Sequence, residues 1–254
     1  MADRDPGNPT LDDWKQIEEH EEGSGGLNRT IRAMQQTRFH RWGFVLYRCT
    51  YSDDAAWEYY IQALHDAVRS GLEDLGRDLL LFKYFKLDVI GDRDTLENAS
   101  KDYVRQKFAQ WSSAHQGVEQ GGPGTDSSFA RQMPLFRYCL YADQKCLDTV
   151  KAHREWTEKL TEEELARSGP MFGEPKLPCV IVEKDCDPEG EGPDGYPDVD
   201  GCTQRYTGWM YTQVTSLPAL YNSLHARDMA DGAFRYKRPP LVYPMGTEKN
   251  AMPL

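Results

Sequence analysis

An α+β fold with a ferredoxin-like β-α-β-β-α-β core sheet, helical and loop insertions and an extra C-terminal strand and helix is what this 254-residue chain predicts. Three observations point to it. Short apolar and aromatic runs alternate with stretches whose apolar residues recur every three or four positions. Two strand–helix units resemble each other: Phe44–Cys49 leads through Ser52-Asp53-Asp54 into a helix, and Phe136–Tyr141 leads through Asp143 into another. Apolar residues make up 39% and aromatic residues 11%, enough to close a core and too much for a disordered chain.

Residues 1–27 read as an acidic flexible tail, with Pro6, Pro9, the stretch Leu11–Glu22 and the linker Gly23-Ser24-Gly25-Gly26. A single domain over 28–243 follows, with loop insertions at 117–130 and 185–202; residues 244–254 form a C-terminal tail. From Gly23 to Ser52 there is no acidic residue, and Arg29, Arg32, Arg38, Arg41 and Arg48 fall there. That segment ends in Trp42–Tyr51, a strand whose lack of alternation predicts cover on both faces. Trp57, Ile61, Leu64, Val68, Leu72 and Leu75 then share one helical face, with Ser52 and Asp53 at the N-cap and Gly76 at the close.

Leu79–Ile90 is the second expected strand, its apolar run broken by Lys83, Lys86 and Asp88. A helix from Thr95 places Leu96, Ala99, Val104, Phe108 and Trp111 inward, behind Asp94 and Glu97 in capping-box spacing. The Gly- and Ser-rich stretch Gly117–Ser128 is a loop. Leu135–Tyr141 is the third strand, followed by a short helix around Cys146, Leu147 and Val150 and by an inserted charged helix, His153–Arg167. Strands four and five are Pro178–Glu183 and Tyr206–Val214, and Ser216-Leu217-Pro218 opens the last helix.

The formal charge of −11 and pI near 5.1 disfavour nucleic acid as a partner, although Arg29–Arg48 with Trp42 and Tyr47 could offer a local basic, stacking face. No run approaches the length of a membrane span, so no membrane partner is expected. Met1–Pro6 has no apolar leader core, which predicts a cytoplasmic location. The six cysteines form no CxxC and sit in a chain large enough to fold without crosslinks, so free thiols are expected.

Between Glu183 and Cys202 eight carboxylates face a single Lys184. Asp185, Asp187, Glu189 and Gly190 match the opening of a calcium loop, but its twelfth position is Tyr196, and Pro188 and Pro193 interrupt it. A solvated acidic loop is expected, with docking onto Arg29–Arg48 or Arg235–Arg238 as the alternative. No histidine pair, nucleophile elbow or phosphate loop is present, so neither metal nor cofactor is expected. Strand parity supplies the candidate ligand-binding residues. Arg48 and Arg137 lie among apolar residues of the first and third strands, where each needs a carboxylate such as Asp88 or an anionic ligand. Tyr47 and Tyr141 lie beside them on the same strands.

Arg41–Tyr51 running into Asp53-Asp54-Ala55-Ala56-Trp57, and Gly201-Cys202-Thr203 through Trp209 to Arg238-Pro239-Pro240, resemble an uncharacterised family of filamentous-fungal intracellular proteins. The resemblance covers most of residues 38–243 and implies no activity. The expected function is a non-catalytic binding or interaction module for a protein or small molecule. The alternative is a small-molecule enzyme using the open face of a ferredoxin-like sheet, in the style of dimeric α/β-barrel proteins. A homodimer through that face is the associated expectation.

Overall fold

The computed structural model describes residues 10–11, 26–115, 132–159, 175, 177–186, 195–231, 236–244 and 251–252. The first strand–helix unit forms for the reasons its sequence suggests. β1 (Trp42–Arg48) is buried along six of its seven residues. Asp53, in extended conformation, caps α2 (Asp54–Asp74) by accepting the Ala56 N–H at 2.9 Å. Gly76 ends α2 at φ 60°: its N–H donates to the Glu73 carbonyl, and the Arg77 N–H to that of Leu72, a Schellman closure. Before this unit lies α1 (Asn28–Thr37), whose first N–H groups are capped from afar by Asn222 Oδ1.

The chain after α2 turns through α3 (Asp78–Leu81) and a 3-10 turn into β2 (Phe85–Ile90). Next come α4 (Arg93–Leu96) and α5 (Lys101–His115), separated where Asn98 takes φ 57°. Then α6 (Pro134–Arg137) leads directly into β3 (Tyr138–Ala142), with Asp143 capping α7 (Gln144–Asp148) before α8 (Val150–Thr157). β4 (Pro178–Glu183), β5 (Trp209–Gln213), α9 (Leu217–Leu224) and β6 (Val242–Tyr243) complete the described elements.

The six strands form one sheet in the order β2-β1-β3-β4-β5-β6. β1 is parallel to both neighbours, with Phe44 opposite Leu87 and Leu46 opposite Leu140; β4 runs antiparallel between β3 and β5. One face, bearing Trp42, Phe44 and Leu46, is covered by α2 and α9. There Trp42 and Phe44 meet the Tyr221 ring, and the Tyr60 hydroxyl donates to the Pro178 carbonyl. The other face carries Tyr47, Cys139 and Tyr141 beneath the α4–α5 segment, to which Tyr141 donates at the Ala99 carbonyl. The core is continuous and includes Leu11 and Met252 from near the two ends of the chain.

The α+β class is thus present, and Leu46, Tyr47 and Arg48 of β1 do pair with the third strand at the sheet centre. The ferredoxin-like arrangement is not. That pattern splits β1 from β2 by an intervening strand, whereas here the two pair directly over six residues. β1 is instead parallel to both β2 and β3, and residue periodicity, which fixes the faces of each strand, does not fix this order. The sheet centre is covered on both sides, as the non-alternating run of β1 predicts. Among the described residues β1, β3 and β4 are buried on both faces.

Boundaries moved for local reasons. Leu79–Leu81 coil into α3 behind Asp78 instead of extending β2. Leu135–Arg137 form a helical turn after Pro134, so the third strand begins at Tyr138. The second long helix starts at Lys101, where Ser100 Oγ accepts the Tyr103 N–H, and not at Thr95. Residues 160–167 of the expected charged helix, the loop 117–130 and the acidic residues 187–194 lie outside the described residues. No helix of the described residues is long and apolar enough to cross a membrane.

Candidate functional site

The connections after β1 and β2 leave toward opposite faces of the sheet, into α2 and into α4–α5. In sheets with parallel strands this divergence is where ligands usually meet the carboxyl ends of the strands. Arg48 stands there. Its Nε donates to the Thr50 carbonyl at 2.9 Å, its Nη2 pairs with Asp54, and its guanidinium lies 4.5 Å from the Tyr51 ring and 4.8 Å from the Trp57 ring. Arg93, exposed and paired with Glu97, approaches the same Tyr51 ring at 5.7 Å. Alongside, the hydroxyls of Thr50 and Ser52 both donate to Gln144 Oε1, joining the ends of β1 and β3. Arg48 therefore spends its charge within the fold: the carboxylate it needs is Asp54, while Asp88 pairs with Arg41.

Arg137 sits at the opposite end of the sheet, on α6 and not on a strand. It pairs with Asp228 and lies 3.8 Å from Glu183. Glu183 is a half-buried carboxylate that takes hydrogen bonds from Tyr206 and, at 3.3 Å, from Tyr138. Burial raises its pKa; the two hydroxyls and Arg137 oppose that rise. The Tyr138 hydroxyl also accepts the Met229 N–H at 3.2 Å, tying β3 to the segment after α9. This cluster holds parts of the chain far apart in sequence, and every group in it has a partner.

Tyr47 and Tyr141 are register neighbours on the α5-covered face. Burial pushes both phenols up, and it pushes the adjacent Cys49 thiol up to about 12. The structure thus brings Tyr47 and Tyr141 together, places Arg48 on the other face, and sets Arg137 at the far end. The four do not form one site.

Searches of family models, curated proteins and solved structures return no match to this chain.

Among the described residues, no group of three His, Cys, Asp or Glu side chains is placed to hold a metal ion. Five of the six cysteines are buried and Cys186 is half-exposed. Asp200 of the acidic segment pairs with Lys101, which also lies 4.1 Å from the Trp209 ring, and Arg238 donates to the carbonyls of Gln204 and Cys202. The described part of that segment docks through Lys101 and Arg238, and no ion pair to Arg29–Arg48 is formed by it.

β2 is one of the two edge strands of the described sheet, with Phe85 buried, Lys86 and Val89 exposed, and Leu87, Asp88 and Ile90 half-exposed. Two of the three large apolar side chains exposed among the described residues, Leu79 and Val89, fall within the twelve residues 79–90. The sequence carried a signal for this edge in Lys86 and Asp88 alternating with apolar residues, which a central strand would not tolerate.

Proposed function

We propose that this chain is a non-catalytic interaction module that docks an extended segment of a protein partner along β2 by strand addition. What supports the reading most is that β2 is a six-residue sheet edge with one side unpaired among the described residues and Val89 43% exposed. An edge of that kind offers main-chain donors and acceptors for affinity, and alternate side chains for selectivity. The chemically capable side chains elsewhere point the same way. Arg48, Arg137 and Glu183 are engaged with internal partners, and burial raises Cys49, Cys139, Cys146 and Cys179 away from thiolate reactivity. The resemblance to filamentous-fungal proteins adds no activity to this account.

A display library of random extended peptides tests the reading, using wild type and Val89→Pro as bait. Proline at an outward-facing edge position blocks strand addition and leaves the β1 side of the strand intact. Peptides retained by wild type and lost by the variant are expected. Equal retention by both, or a cofactor-sized molecule that stabilises the chain while no peptide binds, would overturn it.

A further inference from the structure

We propose that the partner strand is β2 of a second copy, the two edges pairing antiparallel about a two-fold axis at Leu87. The inference rests on the strand-addition reading and names its partner. It begins with the direction of the backbone groups. A Cβ placed on Gly43 would run into the carbonyl of Lys86 and stand 3.2 Å from its nitrogen, so the Lys86 peptide groups face β1. Along a parallel ladder, residues alternate between facing one neighbour and the other. The N–H and C=O groups of Leu87 and Val89, and those of Phe85, therefore point away from β1, toward the side that no described strand occupies.

An antiparallel pair alternates hydrogen-bonded and non-hydrogen-bonded positions. Centring it on Leu87 makes Leu87 a hydrogen-bonded pair with its own copy, and Phe85 another with Val89 of the second copy. All of these residues present their backbone groups outward. Lys86 then stands opposite Asp88 of the second copy, in the non-hydrogen-bonded position where side chains come closest. Symmetry makes this contact twice. Asp88 is 42% exposed beside Arg41, so a lysine would complete a cation–carboxylate–cation row.

Neighbouring registers fail. A two-fold axis at Lys86 sets lysine against lysine, and one at Asp88 sets aspartate against aspartate. A half-step register pairs outward backbone groups with inward ones. A parallel in-register pair opposes like charges at both positions. Lysine on an edge strand commonly discourages foreign strands. Paired with an acid two residues later, it still discourages them and accepts its own copy.

Sedimentation velocity across a range of concentrations, with circular dichroism to confirm folding, tests the proposal. Wild type is expected to move from 29.1 kDa toward twice that mass as concentration rises. Lys86→Glu should weaken association by about tenfold or more, because it sets two acidic pairs face to face. Val89→Pro should weaken it as well. A wild type that stays monomeric throughout overturns self-association, as does a dimer indifferent to both single substitutions. If that monomer still selects peptides that Val89→Pro loses, only the identity of the partner fails. If it selects none, the strand-addition reading fails with it.

Discussion

Replacing Gly43 by alanine should be among the most damaging single substitutions in this chain. Gly43 adopts φ 127°, and a Cβ there would collide with the Lys86 carbonyl across the β1–β2 ladder. The backbone strain alone is about 1–3 kcal/mol. Displacing the Lys86 carbonyl from its position against β1 adds about 1–3 kcal/mol for a polar group left unpaired. The expected loss is therefore about 2–6 kcal/mol, a large share of the roughly 5–15 kcal/mol of a typical domain. Gly76→Ala is the matched control. Gly76 also has positive φ, at 60°, but nothing lies within 4 Å of its added Cβ, so only about 1–2 kcal/mol should be lost. Urea unfolding of both variants, read by linear extrapolation, gives the comparison. If Gly43→Ala costs no more than Gly76→Ala, β1 and β2 do not approach as described, and the direct β1–β2 pairing is wrong.

Three further outcomes are expected. Burial, with Arg29 and Arg137 nearby, lowers the His225 pKa to about 3, so the unfolded chain takes a proton that the folded one refuses. Stability from this group is complete above about pH 6.5 and is lost as pH falls toward 3, and His225→Gln should flatten that part of a stability–pH curve. In the native protein, iodoacetamide should label Cys186 quickly and the other five thiols only on unfolding; mass spectrometry showing a second fast site would contradict the burial described. Calcium at micromolar concentrations should leave the melting temperature unchanged, since the acidic segment lacks a carboxylate at the twelfth loop position and Asp200 is already paired with Lys101; a rise of several degrees would refute this.

Much of the fold was legible in the residues themselves. The non-alternating apolar run from Trp42 demanded cover on both faces, and α2 and α5 supply it. Asp53 and Asp143 cap the helices that follow β1 and β3, as the repeated strand–helix pattern suggested. Pro178–Glu183 matched its strand to the residue. What failed was strand order, because periodicity says which residues face inward and nothing about which strand lies beside which. The helix α1 is illegible in the sequence for a similar reason. Its first N–H groups are satisfied by Asn222, about 190 positions away, and no local cap marks its start. The candidate site fared unevenly. Strand position implies that Arg48 needs a carboxylate, which Asp54 supplies, whereas Arg137 lies in a segment that coils, where strand parity has no meaning. The β2 edge was visible as charge alternation, yet became an edge only once β1 was seen to have β3 on its other side.

Backbone hydrogen exchange along β2, resolved residue by residue at low and high protein concentration, tests the central claim most directly. The account predicts an alternation at low concentration. The amides of Lys86, Asp88 and Ile90, facing β1, should be protected, and those of Leu87 and Val89 should exchange nearly as fast as in an open strand. At high concentration Leu87 and Val89 should gain protection while the other three stay unchanged. Uniform protection along β2 at every concentration, or protection of Leu87 and Val89 with exposure of Lys86 and Asp88, would contradict it.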